Sequence, residues 1–248
     1  MSGNAILLPL LAGAVAAGFI NGLAGFGPAL MALAIWLQVM PPQQAVPMVA
    51  ILAIVTGLQG LWLVRRDLTR KPVRAARFLL PALIGVPIGT MLLLVVTENV
   101  IRLSIAFVML AYGCFFALSR NMPRIREKTP VIDIFVGFIG GVMGGAASLS
   151  GVFPTMWCAL RSWPRNETRA ILQLFNQVIL TCSALLFAWR GLYTREILMM
   201  TAISLPVAML AAQLGIAVFR RLSDDRFRLL LIWILFAAGV LIAVRELF

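Results

Sequence analysis

The chain has 248 residues, of which 62% are hydrophobic and only 12% are charged, and its mean hydropathy is +1.00. A soluble domain of this size could not bury so much apolar surface, so the composition predicts an integral membrane protein. The net charge of +12 would suggest nucleic-acid binding in a soluble protein. Here the basic residues fall in short runs between apolar segments, which indicates topology determinants that face the cytoplasm and anionic lipid.

Eight apolar segments follow one another along the chain, at 5–37, 45–64, 78–97, 101–118, 133–160, 170–189, 196–219 and 227–247. A membrane span needs about 20 residues, and all but the first and fifth segments fit that length. The first and the fifth are longer, and each contains a Gly-rich stretch with a Pro that should interrupt a helix. An interrupted backbone survives in hydrocarbon only inside protein or beside a water-filled cavity. Both breaks are therefore candidates for a binding site.

The two halves of the chain repeat one another. Residues 18–25 match residues 137–144 with five identities in eight, displaced by 119 residues. Each half is then one long broken segment followed by three ordinary spans, and duplicated folds with interrupted helices in corresponding positions are typical of transporters. We predict a first repeat at 1–120, a cytoplasmic linker at 121–132 and a second repeat at 133–248.

The positions of Lys and Arg distinguish two topologies. If all eight segments cross the membrane, 13 of the 21 basic residues face the cytoplasm. If the two long segments are re-entrant hairpins, the basic loops at 65–77, 120–128, 161–169 and 220–228 all face the cytoplasm and the split is 17 to 4. The positive-inside rule favours the second topology. We expect an all-α integral membrane protein of two inverted repeats, each a broken re-entrant hairpin plus three transmembrane helices, with eight plain transmembrane helices as the alternative.

Each break offers groups that can hold an anion. Pro28 suits the first position of a new half-helix because it lacks an N–H, and the N–H groups that follow lie at the positive end of the helix dipole. The Ser hydroxyls before Pro154 can cap a half-helix or donate to an oxyanion. The alternative is that the small residues only pack helices closely. The predicted substrate-binding residues of the breaks are Asn21, Gly25, Gly27, Pro28, Ser148, Ser150, Gly151 and Pro154.

A polar stripe follows the second break. Its members recur at spacings of three and four and so share one helix face: Arg169, Gln173, Asn176, Gln177 and Thr181. Because polar amides are costly in lipid, this face should line the protein interior or a pathway. We expect Gln173, Asn176 and Gln177 to donate N–H groups to an anion and Arg169 to attract it electrostatically. The alternative is that the amides only join helices and Arg169 only marks the cytoplasmic face.

The absence of certain residues and motifs from the sequence argues against several functions. No Asp, Glu or His lies at the centre of an apolar segment, which argues against a cation substrate. Neither a phosphate-binding loop nor a hydrolase motif occurs, so we expect no ATP hydrolysis and no enzyme activity. The Cys residues at 114, 158 and 182 lie within apolar segments as packing residues. We expect no metal and no cofactor; a proton as coupling ion and a homo-oligomer remain open.

These motifs resemble those of the sulfite exporter TauE/SafE family over essentially the whole chain. Residues 18–28 look like the first Gly-rich motif of the family, residues 150–157 are similar to its second, and residues 169–176 are similar to the segment that follows. The resemblance implies secondary transport of small anions such as sulfite, organosulfonates or short carboxylates across the cell inner membrane, without ATP. We predict alternating access at a site between the two breaks, with a passive anion channel or a non-transporting membrane subunit as alternatives.

Overall fold

The structure, a computed structural model, describes residues 3–24, 27–68, 72–118, 125, 129–161, 163 and 165–219. Within these ranges there are nine α-helices and no β-strand. The helices are α1 (Gly3–Ala24), α2 (Pro28–Trp36), α3 (Pro42–Leu68), α4 (Pro72–Val95), α5 (Glu98–Leu118), α6 (Pro130–Ala147), α7 (Val152–Ala159), α8 (Arg165–Trp189) and α9 (Arg195–Phe219). The predicted segment at 227–247, the basic loop at 220–228, most of the loop at 120–128 and the candidate Gly25 lie outside the described residues.

Six of the described helices are long and apolar enough to cross a membrane, by length and composition. Their apolar stretches are Ile6–Leu23, Arg74–Val95, Glu98–Phe115, Pro130–Ala147, Glu167–Trp189 and Arg195–Val218. Large apolar side chains point outwards from them, among them Leu80, Phe135 and Leu210, which are 65%, 62% and 69% exposed. Such surface suits contact with lipid rather than water. The prediction of an all-α, multi-pass membrane protein is confirmed.

The first long segment is divided at its Gly-rich stretch into α1 and α2. Gly27 has a φ of 82°, a left-handed conformation that glycine adopts without steric cost, and Pro28 is the first residue of α2, as predicted. The helix α2 returns along α1, because Trp36 Nε1 donates a hydrogen bond of 3.1 Å to the carbonyl of Leu10. Gly13 makes room for the indole ring, since a Cβ there would lie 2.1 Å from Trp36 Nε1. We call α1 and α2 the first hairpin.

The second long segment is divided in a similar way into α6 and α7. Ser148 ends α6 in a left-handed conformation with a φ of 55°. The helix α7 returns along α6, because Trp157 Nε1 donates a hydrogen bond of 2.7 Å to Asp133 Oδ1. Arg161, just beyond α7, lies 3.5 Å from the same carboxylate oxygen. We call α6 and α7 the second hairpin.

The two hairpins open towards opposite ends of α3. Arg102, near the start of α5, donates a 2.5 Å hydrogen bond to the carbonyl of Leu37, which follows α2 and comes shortly before α3 begins. Arg74, near the start of α4 and thus just beyond the other end of α3, forms an ion pair with Glu167 and lies over the ring of Trp163, which follows α7. The open end of each hairpin is therefore fixed to a different end of the helix bundle.

Each hairpin packs its longer helix against a helix of the other half of the chain. α1 lies against α9, and α6 lies against α4. The contacts join backbone to backbone: a Cβ on Gly22 would lie 2.0 Å from the carbonyl oxygen of Ala212, and a Cβ on Gly141 would lie 2.1 Å from that of Ala82. These glycines, which precede the breaks, serve close helix packing. The helices α3 and α8 contact each other between the two pairs.

Candidate functional site

A cavity lies where the two breaks meet α3 and α8. It is small, with room for about one water molecule, and part of it is open to the surroundings. It lies midway along α3 and α8, at the level of Ala53 and of Gln173. Nine of the predicted site residues line it: Asn21, Gly27, Pro28, Ser148, Ser150, Gly151, Gln173, Asn176 and Gln177.

Two predicted residues do not line this cavity. Pro154 is the third residue of α7 and packs beside Gly140, where a Cβ would lie 3.1 Å from Pro154 Cγ. Arg169 is half-buried, one turn of α8 before Gln173. The geometry therefore leaves Arg169 near the approach to the cavity and gives Pro154 a packing contact.

The apolar part of the cavity wall was missed by the sequence analysis. It consists of Ala29, Ala53, Leu149, Val152 and Leu180. These side chains resemble every other buried aliphatic residue of the chain, so no local pattern distinguishes them. Only the packing of the helices brings them to the cavity.

The first hairpin contributes one polar side chain to the wall, that of Asn21. Asn21 Nδ2 donates to the carbonyl of Ala53 at 3.3 Å and to Thr56 Oγ1 at 2.6 Å. Thr56 in turn donates its hydroxyl proton to the carbonyl of Leu52 at 2.6 Å. Thr56 was not among the predicted residues, although it lies on the face of α3 that holds Asn21 in position.

The second hairpin contributes two hydroxyl groups, and both donate to protein acceptors. Ser148 Oγ donates to the carbonyl of Val46 at 3.0 Å, and Ser150 Oγ donates to Asn176 Oδ1 at 2.7 Å. Neither hydroxyl caps α7, because Gly151 occupies the N-cap position without a side-chain hydrogen bond. The expected capping role is therefore not found. The hydroxyl groups instead tie the break to α3 and α8.

The glutamines of the polar stripe join α8 to α3 while they line the cavity. Gln173 Nε2 donates to the carbonyl of Gly57 at 3.0 Å, and Gln177 Nε2 donates to that of Ile54 at 3.2 Å. Gly57 leaves room for both amides, since a Cβ there would lie 2.7 Å from Gln177 Oε1 and 3.3 Å from Gln173 Nε2. Because an amide nitrogen carries two hydrogens, each side chain keeps a second N–H beyond its bond to α3.

The start of α7 adds backbone donors to the same wall. Val152 N–H donates to the carbonyl of Leu149 at 3.4 Å and Thr155 N–H to that of Gly151 at 2.9 Å. Within the described part of the chain, the N–H groups of Ser150 and Gly151 have no acceptor. Such groups at a helix start carry a partial positive charge. Among the described residues that line the cavity there is no charged side chain, so the polarity of this part of the wall comes from amides, hydroxyls and backbone groups.

Charged side chains are gathered instead at the open end of the second hairpin. The side chains of Asp133 and Arg161 are only 2% and 4% exposed, and Arg161 also lies 5.0 Å from the ring centre of Trp157. These contacts close the open end of the second hairpin. Among the described residues, no group of three His, Cys, Asp or Glu side chains could hold a metal ion.

A multi-pass helical bundle in which two interrupted helices meet at a buried polar cavity has the architecture of a membrane transporter. The chain matches the profile of the sulfite exporter TauE/SafE family over residues 10–242. It therefore belongs to this family of membrane transporters, which are not enzymes, and the resemblance in the sequence motifs is confirmed. No curated protein and no solved structure matches the chain.

Proposed function

We propose that the protein is a secondary transporter of small anions and that the substrate is held in the cavity between the two breaks. The observation that carries the proposal is the composition of the wall: both breaks and the amides of α8 line one cavity, and none of its described residues has a charged side chain. Neutral donors stabilise an anion without the strong attraction of a buried cation, which would hold it too tightly for release. Sulfite, organosulfonates and short carboxylates are the proposed substrates, and the start of α7 is the proposed contact of their charged group.

The proposed topology is that of two inverted repeats in the cell inner membrane. Two observations support it: the hairpins open towards opposite ends of α3, and each packs against a helix of the other half. The open end of the second hairpin would face the cytoplasm, together with Arg169, which would attract the anion.

Cysteine labelling tests this topology. In a background in which Cys114, Cys158 and Cys182 are replaced by Ala, Arg165→Cys should react only with reagent on the cytoplasmic side. Arg190→Cys, at the opposite end of α8, should react only from outside. Labelling of both positions from one side would rule out the proposed arrangement.

Alternating access would require a change at the contact between α3 and α8. The pairs α1 with α9 and α4 with α6 are joined backbone to backbone, so we propose that each pair moves as a unit. By contrast, α3 and α8 are joined near the cavity by amide side chains, which can exchange partners as the helices shift. This division groups helices from both sequence halves in each moving unit.

Flux measurements on the purified protein in proteoliposomes test the function. A carrier should show saturable uptake of a labelled small anion and counterflow when the same anion is loaded inside. Flux without counterflow would indicate a passive channel, and no flux of any small anion would refute transport by this chain. Repeating uptake with an imposed pH gradient would identify a coupled proton.

A further inference from the structure

The two sides of the cavity differ in the hydrogen-bonding atoms that remain available to a ligand. Asn21 and Asn176 are each 7% exposed and line the cavity from opposite hairpin sides, one on α1 and the other on α8 beside α7. In each amide, one end is engaged with protein and the other end has no partner among the described residues. Asn21 is bonded to protein through its amide nitrogen, whereas Asn176 is bonded through its amide oxygen.

The orientation of the Asn21 amide is fixed by its neighbours. The carbonyl of Ala53 can only accept a hydrogen bond, and Thr56 Oγ1 must accept as well because its own proton is donated to Leu52. Both neighbours therefore require the amide nitrogen, and both hydrogens of that nitrogen are used. Asn21 Oδ1 remains, and it has no donor within the described part of the chain. This side of the cavity offers an acceptor.

The opposite side offers donors. Asn176 Oδ1 accepts from Ser150 Oγ, which leaves the two hydrogens of Asn176 Nδ2 without an acceptor among the described residues. The Cα of Gly151 lies beside this amide, since a Cβ there would lie 2.7 Å from Asn176 Oδ1 and 2.9 Å from Asn176 Nδ2, and the N–H of Gly151 has no acceptor among the described residues. An anionic oxygen would be stabilised by these groups and by the dipole at the start of α7.

We propose that the cavity selects a monoanion that also carries a hydrogen-bond donor, with its anionic group at Asn176 and Gly151 and its hydroxyl or amino group on Asn21 Oδ1. This inference rests on the proposed function and narrows its substrate class. Hydroxysulfonates, hydroxycarboxylates and monoprotonated oxyanions meet the requirement. An anion without a donor would remove water from Asn21 Oδ1 and leave it without a partner, which should weaken its binding by roughly 10- to 100-fold.

Matched pairs of anions test the proposal directly. Ethanesulfonate and 2-hydroxyethanesulfonate differ only by a hydroxyl group, and so do propionate and 3-hydroxypropionate. For each pair we would measure half-saturation in counterflow and the shift in melting temperature of the purified protein. The hydroxylated member should bind about 10- to 100-fold more tightly in at least one pair.

Substitution of Asn21 tests the assigned contact. Asn21→Leu keeps the size of the side chain but removes the acceptor, so the two members of each pair should then bind with similar affinity. Thr201→Val is the matched control, since it removes another buried polar group, which is bonded to Ile197 and does not line the cavity. If Asn21→Leu fails to fold, Asn21→Ala and the anion preference of the wild-type protein provide the same comparison.

Three results would contradict the proposed selection for donor-bearing anions. Equal binding of both members of both pairs by the wild-type protein would overturn the proposal and leave anion transport intact. A preference that survives in Asn21→Leu would also overturn it. Absence of binding and flux for all four anions would refute the proposal together with transport of these anion classes.

Discussion

Where the first hairpin carries Asn21, the second carries Gly140, 119 residues further along the chain. The space that an amide would fill at Gly140 is taken by Phe175 and Pro154, which lie 3.0 and 3.1 Å from the position of a Cβ. Conversely, Ser150 and its neighbours give the second break hydroxyl and backbone donors, while α2 is apolar throughout and almost wholly buried. The two hairpins have similar backbones, but they present different chemistry to the cavity.

The closures of the two hairpins differ in the same way. In the first, Trp36 donates to the neutral carbonyl of Leu10. In the second, Trp157 donates to the carboxylate of Asp133, which Arg161 also contacts. Backbone packing is thus alike in the two halves, whereas polar side chains distinguish them. This contrast can be tested at four points, from the largest expected effect to the smallest.

The shared backbone packing should be sensitive to added volume in both hairpins. Gly22→Val and Gly141→Val would each place a Cβ only 2.0 and 2.1 Å, respectively, from a backbone carbonyl oxygen of the facing helix. Such a distance is far shorter than a van der Waals contact. Each should lower the free energy of unfolding by about 3 kcal/mol or more, measured as loss of monodisperse protein in detergent and of melting temperature. Ala12→Val is the control, since Ala12 is exposed on the outer face of α1 and has room for the added methyl groups. A normal melting temperature in only one Val variant would contradict the similarity of the two packings.

The donor side of the cavity should carry most of the anion affinity. Asn176→Leu removes both free hydrogens of the amide and the acceptor of Ser150, so transport at low substrate should fall by about 100-fold. The melting temperature should change much less than in the glycine variants. Thr201→Val again serves as the control, and an unchanged rate in Asn176→Leu would exclude this side chain from the site.

The two hairpin closures should differ in strength. Trp157→Phe removes a hydrogen bond to a carboxylate and should cost about 2 kcal/mol, whereas Trp36→Phe removes one to a neutral carbonyl and should cost about 1 kcal/mol. Because Trp36 is fully buried and Trp157 is half-buried, the lost ring contacts differ between the two sites, so Trp157→Phe is also measured in an Asp133→Asn background, which isolates the charge of the acceptor. Equal shifts would mean that the charged partners add nothing to the closure.

The smallest effect is expected where α3 meets the amides. Gly57→Ala would place a methyl group 2.7 Å from Gln177 Oε1. The three atoms nearest to this methyl group all belong to side chains, which can move aside more easily than backbone. It should reduce transport by about fivefold and leave folding nearly unchanged. Gln177→Asn, which shortens the side chain by one methylene, should restore part of the loss in the double variant. Additive losses in the double variant would show that the methyl group and this amide do not meet.

Much of the architecture could be predicted from local features of the sequence. Gly27 and Pro28 mark a break because their backbone preferences oppose a continuous helix, and the spacing from Gln173 to Gln177 places the amides on one face. The partners of these side chains could not be predicted. The backbone carbonyl of Val46 accepts a hydrogen bond from Ser148, 102 residues further along the chain. Because every residue has such a carbonyl, the sequence does not show which one Ser148 will reach.

The sequence by itself determined the class of protein, the positions of both breaks and most of the polar residues that line the cavity between them, because hydropathy, helix periodicity and the backbone preferences of Gly and Pro are local properties. The tertiary structure decided what those side chains still offer to a ligand. Helix rotation and register bring Ala53 and Thr56 to one end of the Asn21 amide and Ser150 to the opposite end of the Asn176 amide. A side chain's free hydrogen-bonding capacity depends on its partners, and those are set only when distant helices pack.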